Sequence, residues 1–179
     1  MRIVGGACKK RHLRVPGKGV RPTRGMIREA IFNILSERVV GALILDVFAG
    51  TGALGIEALS RGAKACTFVE RRPGTLRTNL STFELDRRVR VLSEDFRPAL
   101  RRLRKQKFDV IFADPPYNRN YIQETVEMIE RYALLAKGGM IVAEYSVLER
   151  YEIPEGFNVW KQKRYGDTSV SFIEHGNPV

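Results

Sequence analysis

Asp46-Val47-Phe48-Ala49-Gly50-Thr51-Gly52-Ala53-Leu54-Gly55 ends a short apolar run, Leu43-Ile44-Leu45-Asp46-Val47, and opens a helical stretch from Ala53 to Ser60. A strand that turns through glycines directly into a helix is the first unit of an alternating strand-helix fold. The spacing Gly50-x-Gly52-x-x-Gly55 permits a tight turn and close backbone approach, and it leaves free amide groups at the helix start facing a ligand. Several nucleotide-like cofactors suit such a loop, and a plain strand-to-helix turn has the same pattern.

The alternation continues downstream. Ala65-Cys66-Thr67-Phe68-Val69-Glu70 reads as a second strand, followed by a helix aligned on Leu76, Leu80 and Phe83. Val89-Arg90-Val91-Leu92 is a third strand, a basic helix surrounds Leu100 and Leu103, and Phe108 through Ala113 is a fourth strand. A helix with Ile122, Val126, Ile129 and Ala133 inward ends at Lys137-Gly138-Gly139, before a fifth strand, Met140 through Glu144. Phe157 through Lys163 and Ser169 through Glu174 read as strands joined at Arg164-Tyr165-Gly166-Asp167 with no helix between them, a closing hairpin. Such an order predicts a mostly parallel sheet covered on both faces, with ligands beyond the carboxyl ends of its strands.

Upstream, Arg2-Ile3-Val4 and His12-Leu13-Arg14-Val15 are strand-like runs around Gly5-Gly6 and Lys9-Lys10-Arg11, and Pro16-Gly17-Lys18-Gly19 is a loop. They predict a small basic hairpin. Thr23 is placed to cap a helix that carries Ile27, Ala30, Ile31, Ile34 and Leu35 on one face and docks the arm on the body. Residues 1–41 therefore form an arm with its docking helix, and residues 42–179 the main domain.

A chain of 179 residues, 44% of them hydrophobic, holds a full core, which excludes collagen-like, disulfide-stapled and disordered classes. Cys8 and Cys66 form no CxxC pair and have only His12 and His175 as possible co-ligands, so no metal is expected and the compartment is reducing. No apolar run reaches bilayer length and no signal-peptide core is present, so the expected location is cytoplasmic. The net charge of +11 is concentrated: residues 1–41 hold 10 basic and 2 acidic side chains, and residues 87–107 hold 9 and 2. Two basic blocks without a bulky apolar face suit a phosphate backbone better than a membrane. In the arm the candidate RNA contacts are Arg2, Lys9, Lys10, Arg11, Arg14, Lys18, Arg21 and Arg24.

Acids at successive strand ends narrow the cofactor. Glu70 lies 20 residues after Gly50, where a carboxylate can accept from both hydroxyls of a ribose. Asp46 suits the ammonium of a methionine moiety and would repel a pyrophosphate. Asp95, with Phe96 beside it, can meet an adenine amino group.

Asp114-Pro115-Pro116-Tyr117 follows the fourth strand directly. Pro116 keeps Pro115 extended and neither proline has an amide hydrogen, so the Asp114 carboxylate and the Pro115 carbonyl can both face the cleft. Two such acceptors gripping an exocyclic amine favour a pyramidal nitrogen with its lone pair freed for attack on a methyl donor. Tyr117 supplies a flat face for an extruded base, with Tyr121 near it.

With these residues in place, the chain resembles the class I S-adenosylmethionine-dependent methyltransferases, and in particular the RsmD family of bacterial 16S ribosomal RNA guanine-N2 methyltransferases. The likeness is carried by Arg2-Ile3-Val4-Gly5-Gly6, Arg21-Pro22-Thr23, Arg28-Glu29, Phe32-Asn33, the glycine loop from Asp46, Glu57-Ala58-Leu59-Ser60-Arg61, Asp114-Pro115-Pro116-Tyr117 and Tyr165-Gly166. It implies a Rossmann-like fold with a seven-stranded, mostly parallel sheet and an antiparallel carboxyl-terminal hairpin. It further implies S-adenosylmethionine held by Asp46, Phe48, Ala49, Gly50, Thr51, Gly52, Glu70, Asp95 and Phe96, and a target guanine received by Asp114, Pro115, Pro116 and Tyr117. The implied partner is 16S ribosomal RNA, within an assembling or assembled small subunit, with the enzyme a monomer and no membrane involved. From the residues alone, an N6-adenine methyltransferase on DNA or RNA, a nicotinamide oxidoreductase disfavoured by Asp46, and a non-catalytic RNA-binding module remain as alternatives.

Overall fold

A computed structural model describes residues 1–16, 22–117 and 120–176; the side chains of residues 22–24 and 86 are outside that description. Helices α1 (Pro22–Leu35), α2 (Ala53–Ser60), α3 (Gly74–Thr82), α4 (Phe96–Arg102) and α5 (Tyr121–Arg131) interleave with strands β1 (Leu43–Val47), β2 (Ala65–Val69), β3 (Val89–Leu92), β4 (Phe108–Ala113) and β5 (Leu135–Ser146). Strands β6 (Phe157–Tyr165) and β7 (Thr168–His175) follow. They form one seven-stranded sheet in the order β3-β2-β1-β4-β5-β7-β6, parallel from β3 to β5 and antiparallel at β7 and β6.

The period of two along each strand sorts the core into two layers. Ile44, Val110 and Phe112 meet the apolar stripes of α1, α2 and α3, while Leu45, Ile111 and Ala113 meet those of α4 and α5. Burying one such phenylalanine fully contributes about 1.5–3 kcal/mol. Chain connections reverse direction between β1 and β4, so the carboxyl ends of these neighbours open a crevice.

The amino-terminal hairpin is reduced to one antiparallel bridge, Arg2 to His12. Its ladder stops because α2 takes the backbone donors: Val4 and Gly5 N–H go to the Glu57 carboxylate at 2.9 and 2.7 Å, and Cys8 N–H to Ser60 Oγ at 2.9 Å. Ile3, Cys8 and Leu13 are buried with the residues of α1 to α3. Thr23 lies inside α1 rather than at its cap, since the helix already starts at Pro22, a residue suited to a first position where no amide hydrogen is needed.

Two further boundaries differ from the sequence reading. Helix α5 ends at Arg131, and Ala133 lies past it in the left-handed region at φ 51°, with Ala133 N–H on Glu130 O and Leu134 N–H on Ile129 O. That closure satisfies the last carbonyls of the helix, so Lys137-Gly138-Gly139 is an irregular stretch within β5 instead of the helix stop. At the carboxyl-terminal hairpin, Arg164 and Tyr165 pair with Ser169 and Thr168, leaving only Gly166-Asp167 for the turn. Strand β6 is an edge strand, mostly exposed, with a bulge at Trp160. Among the described residues no helix is long and apolar enough to cross a membrane.

Candidate active site

Beyond β1, β2 and β4 lies a cavity of about 570 Å³, and every sequence-nominated cofactor and target residue lines it except Gly52. The chain leaves β1 through left-handed turns at Phe48 (φ 64°), Gly50 (φ 56°) and Gly52 (φ 81°). A Cβ on Gly52 would lie 2.5 Å from Leu76 Cδ1, so this glycine faces the core behind the cavity wall and shapes the loop from there. A Cβ on Gly55 would come 2.3 Å from Phe68 Cε1, which is why α2 can lie so close to β2.

Each nominated acid has a defined place. Asp46 is buried and one of its oxygens accepts the Gly55 N–H at 2.9 Å. Loss of hydration pushes its carboxyl up to about 7; the Gly55 hydrogen bond opposes this, and the charges of Asp114 and Glu70 add to it. Glu70 accepts Gly50 N–H and Arg72 N–H, both at 2.9 Å, and so ties the glycine loop to the end of β2. Asp95 caps α4 by accepting Arg97 N–H at 3.1 Å, and it also faces the cavity. Above it Phe48 and Phe96 pack at 4.8 Å between ring centroids, Tyr121 stacks on Phe48 at 6.0 Å, and the Arg97 guanidinium covers Phe96 at 4.5 Å. Arg97 is held there by Glu124, with Nη2 to Oε2 at 2.6 Å.

In the tetrapeptide Asp114 is half-buried, Pro115 buried, Pro116 exposed and Tyr117 half-buried. The Tyr117 hydroxyl is tethered, 3.0 Å from Thr168 Oγ1 and 3.4 Å from Glu144 Oε1. This fixes the ring at the cavity mouth rather than leaving it to swing.

The cavity also holds Glu144, Arg28 and Met1, which the sequence reading did not nominate. Glu144 was legible in principle, since a charge at the carboxyl end of an apolar strand is the signal that marked Asp46. Arg28 had no such signal: it sits on an amphipathic helix, and only the fold turns it inward against Glu57, Nε to Oε2 at 3.4 Å.

Of the nominated RNA contacts, Arg2, Lys9, Lys10, Arg11 and Arg14 are exposed. Arg11 also has a structural task, donating to Thr82 O at 2.5 Å and covering Phe83 at 4.6 Å. Lys18, Arg21 and the side chain of Arg24 lie outside the described residues. No group of three or more metal-ligating side chains occurs among the described residues.

The family model described as conserved hypothetical protein 95 matches residues 1–174. YlbH of Bacillus subtilis (strain 168) is 38% identical over 183 residues, covering 97% of this chain and 98% of that protein. Ribosomal RNA small subunit methyltransferase D of Escherichia coli (strain K12) is 34% identical over 179 residues, covering 97% of this chain and 89% of that protein. The solved structure of yhhF from Escherichia coli superposes with a TM-score of 0.87 at 34% identity, covering 98% of this chain and 97% of that one.

Proposed function

The chain belongs to the conserved hypothetical protein 95 family, that of the RsmD-like ribosomal RNA methyltransferases, and from this premise we propose that it methylates the N2 amine of one guanine in 16S ribosomal RNA. Its fold is the Rossmann-like class I methyltransferase fold, its cofactor is S-adenosylmethionine, and its activity is cofactor-dependent methylation of RNA of the ribosomal kind.

The donor set of the cavity suits that cofactor. Asp46 would face the ammonium, Glu70 the ribose hydroxyls and Asp95 the adenine amine, with Phe48 and Phe96 against the ring and the backbone of Ala49, Gly50 and Thr51 alongside. Gly52 contributes through the turn it permits. When bound, the cofactor supplies a methyl group on a positively charged sulfur, whose departure needs no acid. What remains for the protein is mainly positioning. Asp114 and the Pro115 carbonyl accept the two hydrogens of the guanine amine, Tyr117 supports the face of the extruded base, and Asp114 receives the proton the amine sheds after transfer. Arg2, Lys9, Lys10 and Arg14 offer exposed charge to the RNA backbone. We place the work of the enzyme in the cytoplasm, as a monomer acting on an assembling or assembled small subunit.

The observation that carries this reading is that Asp114 through Tyr117 share one cavity with Asp46, Glu70 and Asp95. Its test is transfer of tritiated methyl groups to small subunits and to free 16S RNA, with the labelled nucleoside identified by mass spectrometry. N2-methylguanosine is the expected product, and label in adenosine alone, or in no nucleoside, overturns the assignment. Asp114→Ala should lower turnover by about 10²–10⁴-fold while calorimetry shows S-adenosylhomocysteine binding nearly unchanged; wild-type turnover in that variant would remove Asp114 from the chemistry.

A further inference from the structure

Glu144 stands next to the tetrapeptide in the sheet itself. Strands β4 and β5 are parallel, with Phe112 opposite Val142 and Ala113 opposite Ala143. Asp114 follows Ala113 just past the end of β4 and Glu144 follows Ala143 within β5, and adjacent strands run about 4.8 Å apart. The alternation of the pleat puts Glu144 on the side of Val142, the side that also carries Phe112 and Asp46. Glu144 is only 8% exposed, yet it lines the same cavity as Asp114 and Pro115. Its Oε1 meets the Tyr117 hydroxyl at 3.4 Å, so the carboxylate reaches the hydroxyl edge of the ring that lines the cavity with Asp114 and Pro115.

The two purines differ at the atom beside the amine. Guanine carries N1–H next to its N2 amine, two donors side by side, whereas adenine carries a bare N1 lone pair next to its N6 amine. With the amine hydrogens taken by Asp114 and the Pro115 carbonyl, the adjoining ring position falls to the neighbouring strand. We propose that Glu144 accepts the N1–H of the target base and thereby selects guanine over adenine. This assignment rests on the guanine-N2 reading above. A carboxylate oxygen set against the adenine N1 lone pair leaves two acceptors facing each other in a desolvated site, which is how a pocket built around one hydrogen bond rejects an isostere lacking it.

The test replaces the mapped target guanine by 2-aminopurine, which keeps the 2-amine and presents a lone pair at N1, in small subunits reconstituted with the altered RNA. Wild-type enzyme should prefer guanine by at least about a hundredfold in kcat/KM. In Glu144→Gln the side-chain oxygen still accepts from Tyr117, and the amide can turn to donate to a lone pair. The preference should then fall by about tenfold or more, consistent with the usual worth of one base-edge contact. Glu144→Asp keeps the charge and should keep the preference at reduced rate. S-adenosylhomocysteine binding checks that each variant is folded, and Tyr117→Phe, which removes only the tether, should slow both substrates alike. If Glu144→Gln slows both substrates equally, Glu144 serves only to hold Tyr117 and the proposal falls, while N2-methylguanosine from the wild type leaves the guanine reading intact. If the wild type labels adenosine instead, both fall together.

Discussion

Asp46 is 2% exposed and its carboxyl is pushed up to about 7, chiefly because burial strips its hydration. The folded protein therefore keeps a proton there across a range, from about pH 4 to 7, in which the unfolded chain has already released it. Stability from this group is fully present below the unfolded value and is lost as pH rises through about 7. Asp46→Asn should abolish that fall: the unfolding free energy of the free protein, from denaturant titration, should be flatter between pH 4 and 8 than in the wild type, by an amount of order a few kcal/mol. Equal pH profiles for the two proteins would show that Asp46 does not titrate in this window. The sequence marked this position, Glu70 and Asp95 through their places at strand ends. It could not show that Asp46 and Glu70 also hold the Gly55 and Gly50 amides, because those contacts depend on the left-handed turns of the loop at Phe48, Gly50 and Gly52.

Among the elements, α2 does more than follow the glycine loop. Its Glu57 is fully buried and collects Val4 N–H, Gly5 N–H, Arg61 Nε at 2.9 Å and Arg28 Nε at 3.4 Å. A Cβ on Gly6 would fall 1.8 Å from Ser60 O, so the amino-terminal segment reaches α2 only because that residue is glycine. Removing the charge at Glu57 strands a buried guanidinium, so Glu57→Gln should destabilise the protein by about 3–5 kcal/mol in urea titration. Amide exchange should rise in residues 3–8 before it rises in β1 or β4; unaltered stability would show that the segment is held by its apolar contacts alone. The sequence displayed both partners of this tie without displaying the tie, since 53 residues separate Val4 from Glu57. For the same reason it favoured a local hairpin, where strand-like runs pair with their nearest neighbour unless a distant acceptor outcompetes them.

Across the whole molecule, alternation of apolar runs with amphipathic helices was enough to read a parallel sheet, and the limits of β1, β3 and β4 agree with those runs. Strand order was not legible at the far edge. Strand β7 inserts between β5 and β6, and the pairing of Ile141 with Ile173 and of Ser146 with Thr168 that fixes it comes from core packing, which leaves no local mark in the chain. That insertion leaves β6 as the outer rail, nine residues long, with Lys161, Lys163 and Arg164 along it and Trp160 displaced by the bulge. A strand of this length with an open outer edge is a template for adding another chain, and like charges with a local kink are how such a template is kept from copying itself. The triple substitution Lys161→Thr, Lys163→Thr, Arg164→Thr should accordingly produce concentration-dependent oligomers in light scattering, whereas a monodisperse triple variant would show that the bulge alone suffices. The basic side chains of this rail thus guard colloidal solubility, and shelf life in storage becomes a property written into one outermost strand.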